Sequence, residues 1–130
     1  MDVRTSSIAA ALIRQGWETA HSITAHLDGL SDATPNPDQE AAPYDKYISI
    51  NQQRIKRIRK SLAKQGLSPA LLAAVRRVKA GTKMLVLNEF WCGDGAQILP
   101  VHEAMELISE GKLEVRHRLP YSDQSHLTQA

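Results

Sequence analysis

The sequence predicts an α/β fold: a helical N-terminal region followed by a strand–helix–strand unit. Three observations carry that expectation. Apolar residues recur at helical spacing through two long stretches before residue 65. After Gly81 the period changes, and residues 83–90 hold a Met-Leu-Val-Leu run that is apolar at consecutive positions. Residues 113–119 then alternate strictly between apolar and polar side chains. A strand, a helix and a strand of these lengths form a βαβ unit with parallel strands and a right-handed crossover.

The first predicted helix covers residues 6–30. Ile8, Leu12, Ile13, Trp17, Ala20, Ile23 and Leu27 lie near one helical face, and Gly16 weakens the middle. Residues 31–42 are polar with two prolines, which marks a linker. A second helix is expected from Pro43, because proline is tolerated in the first turn. Tyr44, Tyr47, Ile48, Asn51, Ile55, Ile58 and Leu62 mark its inner face. Arg54, Lys56, Arg57, Arg59, Lys60 and Lys64 mark the opposite one, and Gly66 closes it. Ser68 and Pro69 open a third helix, with a Leu67–Leu72 staple across the cap and Gly81 as its end.

The consecutive apolar positions of residues 83–90 place that strand inside a sheet covered on both faces. A helix over 94–110 follows, with Pro100 inside it and Gly111 as its stop. The alternation of 113–119 suits a strand at a sheet edge with one wet face, and residues 122–130 begin another helix. The resulting segments are residues 1–42 (helix and linker), 43–81 (helical extension) and 82–130 (βαβ).

At 130 residues and 42% hydrophobic content the chain suits one domain. Its six aromatic residues leave the core to aliphatic side chains. One cysteine excludes an internal disulfide and fits a reducing compartment, so a cytoplasmic location is expected. Residues 1–14 read as a helix start and not a leader, and no apolar run approaches a membrane span.

Charge is uneven. Residues 1–43 hold two Lys/Arg against six Asp/Glu, residues 44–80 ten against one, and residues 81–130 four against seven. The basic middle either meets an anionic partner through residues 54–64 or neutralises the acidic ends of its own fold. No aromatic residue interleaves the charges after Tyr47, which argues against nucleic acid. The five histidines show no metal-binding spacing and read as surface residues. Gly93-Asp94-Gly95 is too short for a phosphate loop, so no cofactor is expected.

Cys92 carries the one constellation with a chemical reading. It stands where the strand turns into the helix, in Phe90-Trp91-Cys92-Gly93-Asp94-Gly95. Amide groups at a helix start favour a negatively charged sulfur, while the Asp94 carboxylate opposes it. Each effect is worth roughly 1 kcal/mol.

This turn, with a proline eight residues after Cys92, resembles the active-site turn of the thioredoxin family. It is similar above all to a bacterial branch with Trp-Cys-Gly-Asp, Ala-Gln and a later proline. Tyr44, Tyr47, Ile50, Asn51, Arg54, Ile55 and Arg57 resemble the helical extension of that branch, so the likeness spans roughly residues 44–125. The resemblance implies a helical extension followed by a partial (βαβ) thioredoxin-like fold. It implies Cys92 as nucleophile, Trp91 and Gly93 as its surroundings, Asp94 as a charge beside it and Pro100 as the helix proline.

Gly95 occupies the place of the family's resolving cysteine, so an external thiol must complete any exchange. The implied partners are protein or low-molecular-weight thiols and disulfides. The alternatives are a redox-inert binding module, a truncated inactive product, or anionic-partner binding through residues 54–64. Only residues 119–130 follow the last strand, and Pro120 is not the substrate-side proline of the family. A truncated coding sequence is expected. A fragment, or a second copy that completes the sheet, would also account for the unfinished fold.

Overall fold

The computed structural model describes residues 3–34 and 46–119. Its elements are α1 (Val3–Thr19), β1 (His21–Ser22), α2 (Ile23–Asp32), α3 (Lys46–Gln65), α4 (Pro69–Arg76), β2 (Thr82–Leu87), α5 (Gly93–Ile108) and β3 (Leu113–Arg118). The architecture is mixed α/β, a strand–helix–strand unit behind an N-terminal helical region, as the sequence predicts. Most of the predicted linker, the start expected at Pro43 and the helix expected over 122–130 lie outside the described residues.

The helix expected over 6–30 is two helices. Thr19 Oγ1 donates to the Gln15 carbonyl, and α1 ends there. His21 and Ser22 then pair antiparallel with His117 and Arg116 of β3. Ser22 caps α2, its hydroxyl accepting from the Ala25 amide at 3.0 Å. The apolar period that runs across this break is not one buried face: Ile23, Leu27 and Leu30 of α2 are buried, whereas Ile8, Leu12 and Ile13 of α1 are exposed.

α3 ends at Gly66, with φ of 74° as a C-terminal glycine allows. α4 begins on the Ser68 cap and Pro69 but stops at Arg76, short of Gly81. α5 runs through Pro100 without interruption.

The sheet order is β1-β3-β2, so β3 is central and not the expected edge. β2 and β3 are parallel, with Met84 opposite Val115 and Val86 opposite His117. Met84 and Val86 join the core with Leu113, Val115 and Leu119 of β3 and its end, Ile23 and Leu27 of α2, Ile48 and Ile55 of α3, and Leu99 of α5. Leu85 faces the other way, against Gly16 of α1, where an added Cβ would lie 3.2 Å from Leu85 Cδ2. Both faces of β2 meet other residues, but none of its positions is fully buried, so the strand covered on both sides that its apolar run predicted is not found. In the sheet it is an edge strand among the described residues, and Leu87 is 60% exposed.

Polar side chains join these layers. The Arg116 guanidinium stacks 4.3 Å over Trp17, and its Nη1 donates to the Trp17 carbonyl, which fixes α1 on the sheet. Arg59 binds Glu103 through Nε (3.0 Å) and Nη2 (2.7 Å) and Asp28 through Nη1 (2.9 Å). Burial disfavours the Arg59 charge, but the Glu103 and Asp28 bonds outweigh it and hold the guanidinium above its ordinary range. Arg59 thus ties α3 to α2 and α5 and is not part of a solvated stripe. Gln52 Nε2 donates to the Leu30 (2.9 Å) and Ala33 (2.7 Å) carbonyls at the end of α2.

Two histidines contradict the surface reading. His26 and His117 are fully buried, their rings stacked with centroids 3.3 Å apart. Their nearness follows from α2 folding over β3, which no spacing along the chain reveals. Burial and then the charge of His21 push the His117 imidazole down to about 3.

The folded value lies below that of an unfolded histidine, so the unfolded chain takes up the proton first. The contribution of His117 is complete above about pH 6.5 and is lost as pH falls toward 3, at about 1.4 kcal/mol per pH unit. We predict that urea unfolding gives a stability about 2 kcal/mol lower at pH 5 than at pH 7.5 from this residue. His117→Leu should flatten that dependence; an equally steep loss in the variant would refute the assignment.

Candidate active site

β2 delivers the chain to the turn of residues 88–92, and α5 starts immediately after it. Cys92 is the N-cap of α5, with φ of −76° and ψ of 116°. Its carbonyl accepts from the Ala96 amide at 3.2 Å, and its own amide donates to the Glu89 carbonyl at 3.1 Å. The side chain makes no capping hydrogen bond. Its sulfur is therefore not spent on holding the helix end, and the residue is half-buried.

Trp91 is 36% exposed beside the thiol position. Asp94 is exposed in the first turn of α5, where a negative charge suits the helix end. Gly93 is half-buried, and the reason is a side chain from another element. A Cβ at Gly93 would lie 2.9 Å from Arg54 Nη1. The Arg54 guanidinium thus packs against the backbone of the residue after Cys92. Ala at this position would displace it.

Gly95 is explained in the same way. An added Cβ there would overlap Asn88 Nδ2, Cγ and Oδ1. The carboxamide of Asn88, whose Nδ2 donates to the Glu89 carbonyl at 2.9 Å, fills the space beside position 95. A cysteine at 95 therefore requires Asn88 to move.

Asn51 is the second support from α3. It is fully buried, and its Nδ2 donates to the Phe90 carbonyl at 2.7 Å. Its Oδ1 accepts from Arg54 Nη1 at 3.1 Å. Phe90 precedes Cys92 by two residues and sits in the core, its ring 5.0 Å from that of His26. The turn is thus fastened by a core anchor at 90, a buried hydrogen bond at the same residue and a guanidinium at 93.

Sequence reasoning placed Asn51 on the apolar face and Arg54 on the basic face of one helix. It did not bring them to the thiol. Their signal was present, because polar Asn51 stands among the apolar positions of α3 and Arg54 follows it by three residues, one helical turn. Asn88 gave no signal of its own. His102 lies on α5 with its imidazole held below the ordinary histidine range by burial. Among the described residues no group of three or more His, Cys, Asp or Glu is arranged to hold a metal ion. No described helix is long and apolar enough to cross a membrane.

A family model described as Thioredoxin matches residues 38–128, which include α3, the turn, α5 and both parallel strands. No curated protein and no solved structure shows significant similarity to the chain. The family match covers the greater part of the sequence and falls on the same turn that the fold presents at the start of α5. On that match the chain belongs to the thioredoxin family.

Proposed function

We propose that this protein carries out thiol–disulfide exchange through Cys92 alone. The observation that carries the reading is a half-buried thiol at the start of α5, free of capping duty, in the strand–turn–helix of a thioredoxin-family chain whose position 95 is glycine. The Trp91–Asp94 turn, with Asn51 and Arg54 on the preceding helix, supports the bacterial branch of that family. A lone thiol suits a reducing cytoplasm.

The Cys92 thiolate attacks one sulfur of a disulfide. A bond forms between Sγ and that sulfur, and the bonding pair of the old S–S link leaves with the other sulfur as a thiolate. The chain holds no second thiol, so a low-molecular-weight thiolate must resolve the adduct. It attacks the substrate sulfur, forms a new disulfide with it and returns Cys92 as thiolate. The net change is the exchange of one disulfide for another: the external thiolate ends in the new mixed disulfide, and one substrate sulfur is released as a thiolate. Trp91 and Gly93 shape the approach to Sγ, and Asp94 adds a negative charge beside it. A redox-inert binding module remains the second reading, and it is what an unreactive Cys92 would leave.

Incubation of the native protein with excess glutathione disulfide tests the proposal by intact mass. One glutathionyl adduct is expected, absent in Cys92→Ser and removed by added glutathione. A native protein that takes up no adduct, while the urea-unfolded chain does, would reject it.

The filling of position 95 gives a second expectation. Gly95→Cys alone should cost about 1–3 kcal/mol of stability, because the new side chain collides with Asn88. Adding Asn88→Ala should restore part of that stability. It should also convert the lasting adduct into a transient one that closes to an internal disulfide, measured as release of free glutathione. An equally long-lived adduct in the double variant would show that position 95 does not face Cys92.

A further inference from the structure

We infer that Asn51 and Arg54 are positioning residues for Cys92: α3 clamps the turn on both sides of the thiol, and Arg54 delivers a positive charge there that favours anionic reactants. The inference rests on the proposed exchange chemistry and narrows it to thiols and disulfides that carry carboxylates.

Three observations support the clamp. Asn51 is fully buried and holds the Phe90 carbonyl, on the strand side of Cys92. The same carboxamide holds Arg54 through its oxygen, so one side chain orients both contacts. Arg54 lies against Gly93, on the helix side of Cys92, at a distance that leaves no room for a Cβ.

The charge argument is independent of the clamp. Arg54 makes no ion pair among the described residues, whereas Arg59, further along the same helix, is neutralised by Asp28 and Glu103. The Arg54 cation is therefore not cancelled by a direct partner among the described residues. Its field adds to that of the α5 amide groups at the place where a substrate must meet Sγ. Asp94 is exposed and Glu89 buried near the same turn, and both oppose it. The test therefore compares variants in which those two carboxylates are unchanged.

The experiment measures alkylation of Cys92 in the full chain by iodoacetate and by iodoacetamide, at one pH and low salt. Both reagents attack the same thiolate, so the ratio of their rates reports the charge near Sγ and cancels any change in thiolate population. Arg54→Gln should lower the iodoacetate-to-iodoacetamide ratio by about three- to tenfold, the effect of one unit charge screened by water as in bulk solvent. Arg54→Lys should keep the ratio within about twofold of the parent, and the difference between Gln and Lys should collapse at high salt. Asn51→Ala should lower the ratio toward that of Arg54→Gln, since Arg54 loses its anchor. The double variant should go no lower.

A ratio unchanged by Arg54→Gln, or lowered equally by Gln and Lys, would overturn the inference. If Asn51→Ala fails to fold by circular dichroism, the Gln and Lys pair decides alone. A charge-dependent ratio without any glutathionyl adduct would uphold the clamp and reject the exchange reaction, so the two failures are distinguishable.

Discussion

The buried hydrogen bond from Asn51 to the Phe90 carbonyl is the joint on which this arrangement depends. A strand-to-helix turn must leave backbone groups unpaired, and a buried carbonyl without a donor costs about 1–3 kcal/mol. Here the donor comes from α3, an element separated from the turn by α4 and β2. The helical extension is therefore not an appendage to the α/β unit. It supplies the partner that lets the Cys92 turn stay where it is, while the Phe90 ring is anchored in the core.

The same logic recurs on a larger scale. α2 and α5 each present an apolar stripe to one face of a small sheet, α3 packs its own against α2 and α5, and such stripes are interchangeable by hydrophobicity alone. Specific polar contacts select one arrangement. The Arg59 fork to Glu103 and its bond to Asp28 set the three helices against each other. Gln52 ends α2 on α3. On the far face, Arg116 over Trp17 does the same for α1. The stacked His26 and His117 make the centre of the core sensitive to acid, since two imidazoles in contact cannot both carry a proton without strong repulsion.

Much of this was legible in the chain. The βαβ unit, the Ser68–Pro69 start, the Gly66 stop and the position of Cys92 at a helix start all rest on local signals, and all are found. What escaped was long-range. The Ser22 cap was hidden because the apolar period continued across it. The edge position of β2 was hidden because an apolar strand looks the same whether both faces or both edges are covered. The roles of Arg54 and Arg59 differ although both sit in one basic stripe, since only the fold decides that one meets Gly93 and the other meets Glu103. Asn88 beside position 95 had no sequence signature, because its effect is to occupy volume.

The central claim is that the helical extension holds the thiol turn through Asn51. Amide hydrogen exchange in the native state, resolved by residue, tests it most directly. In Asn51→Ala the amides of Cys92 and Ala96, which donate to the Glu89 and Cys92 carbonyls, should exchange at least about tenfold faster, while the Ser109 amide at the far end of α5 keeps its protection. Unchanged exchange at Cys92 and Ala96, or an equal rise at all three, would contradict the account.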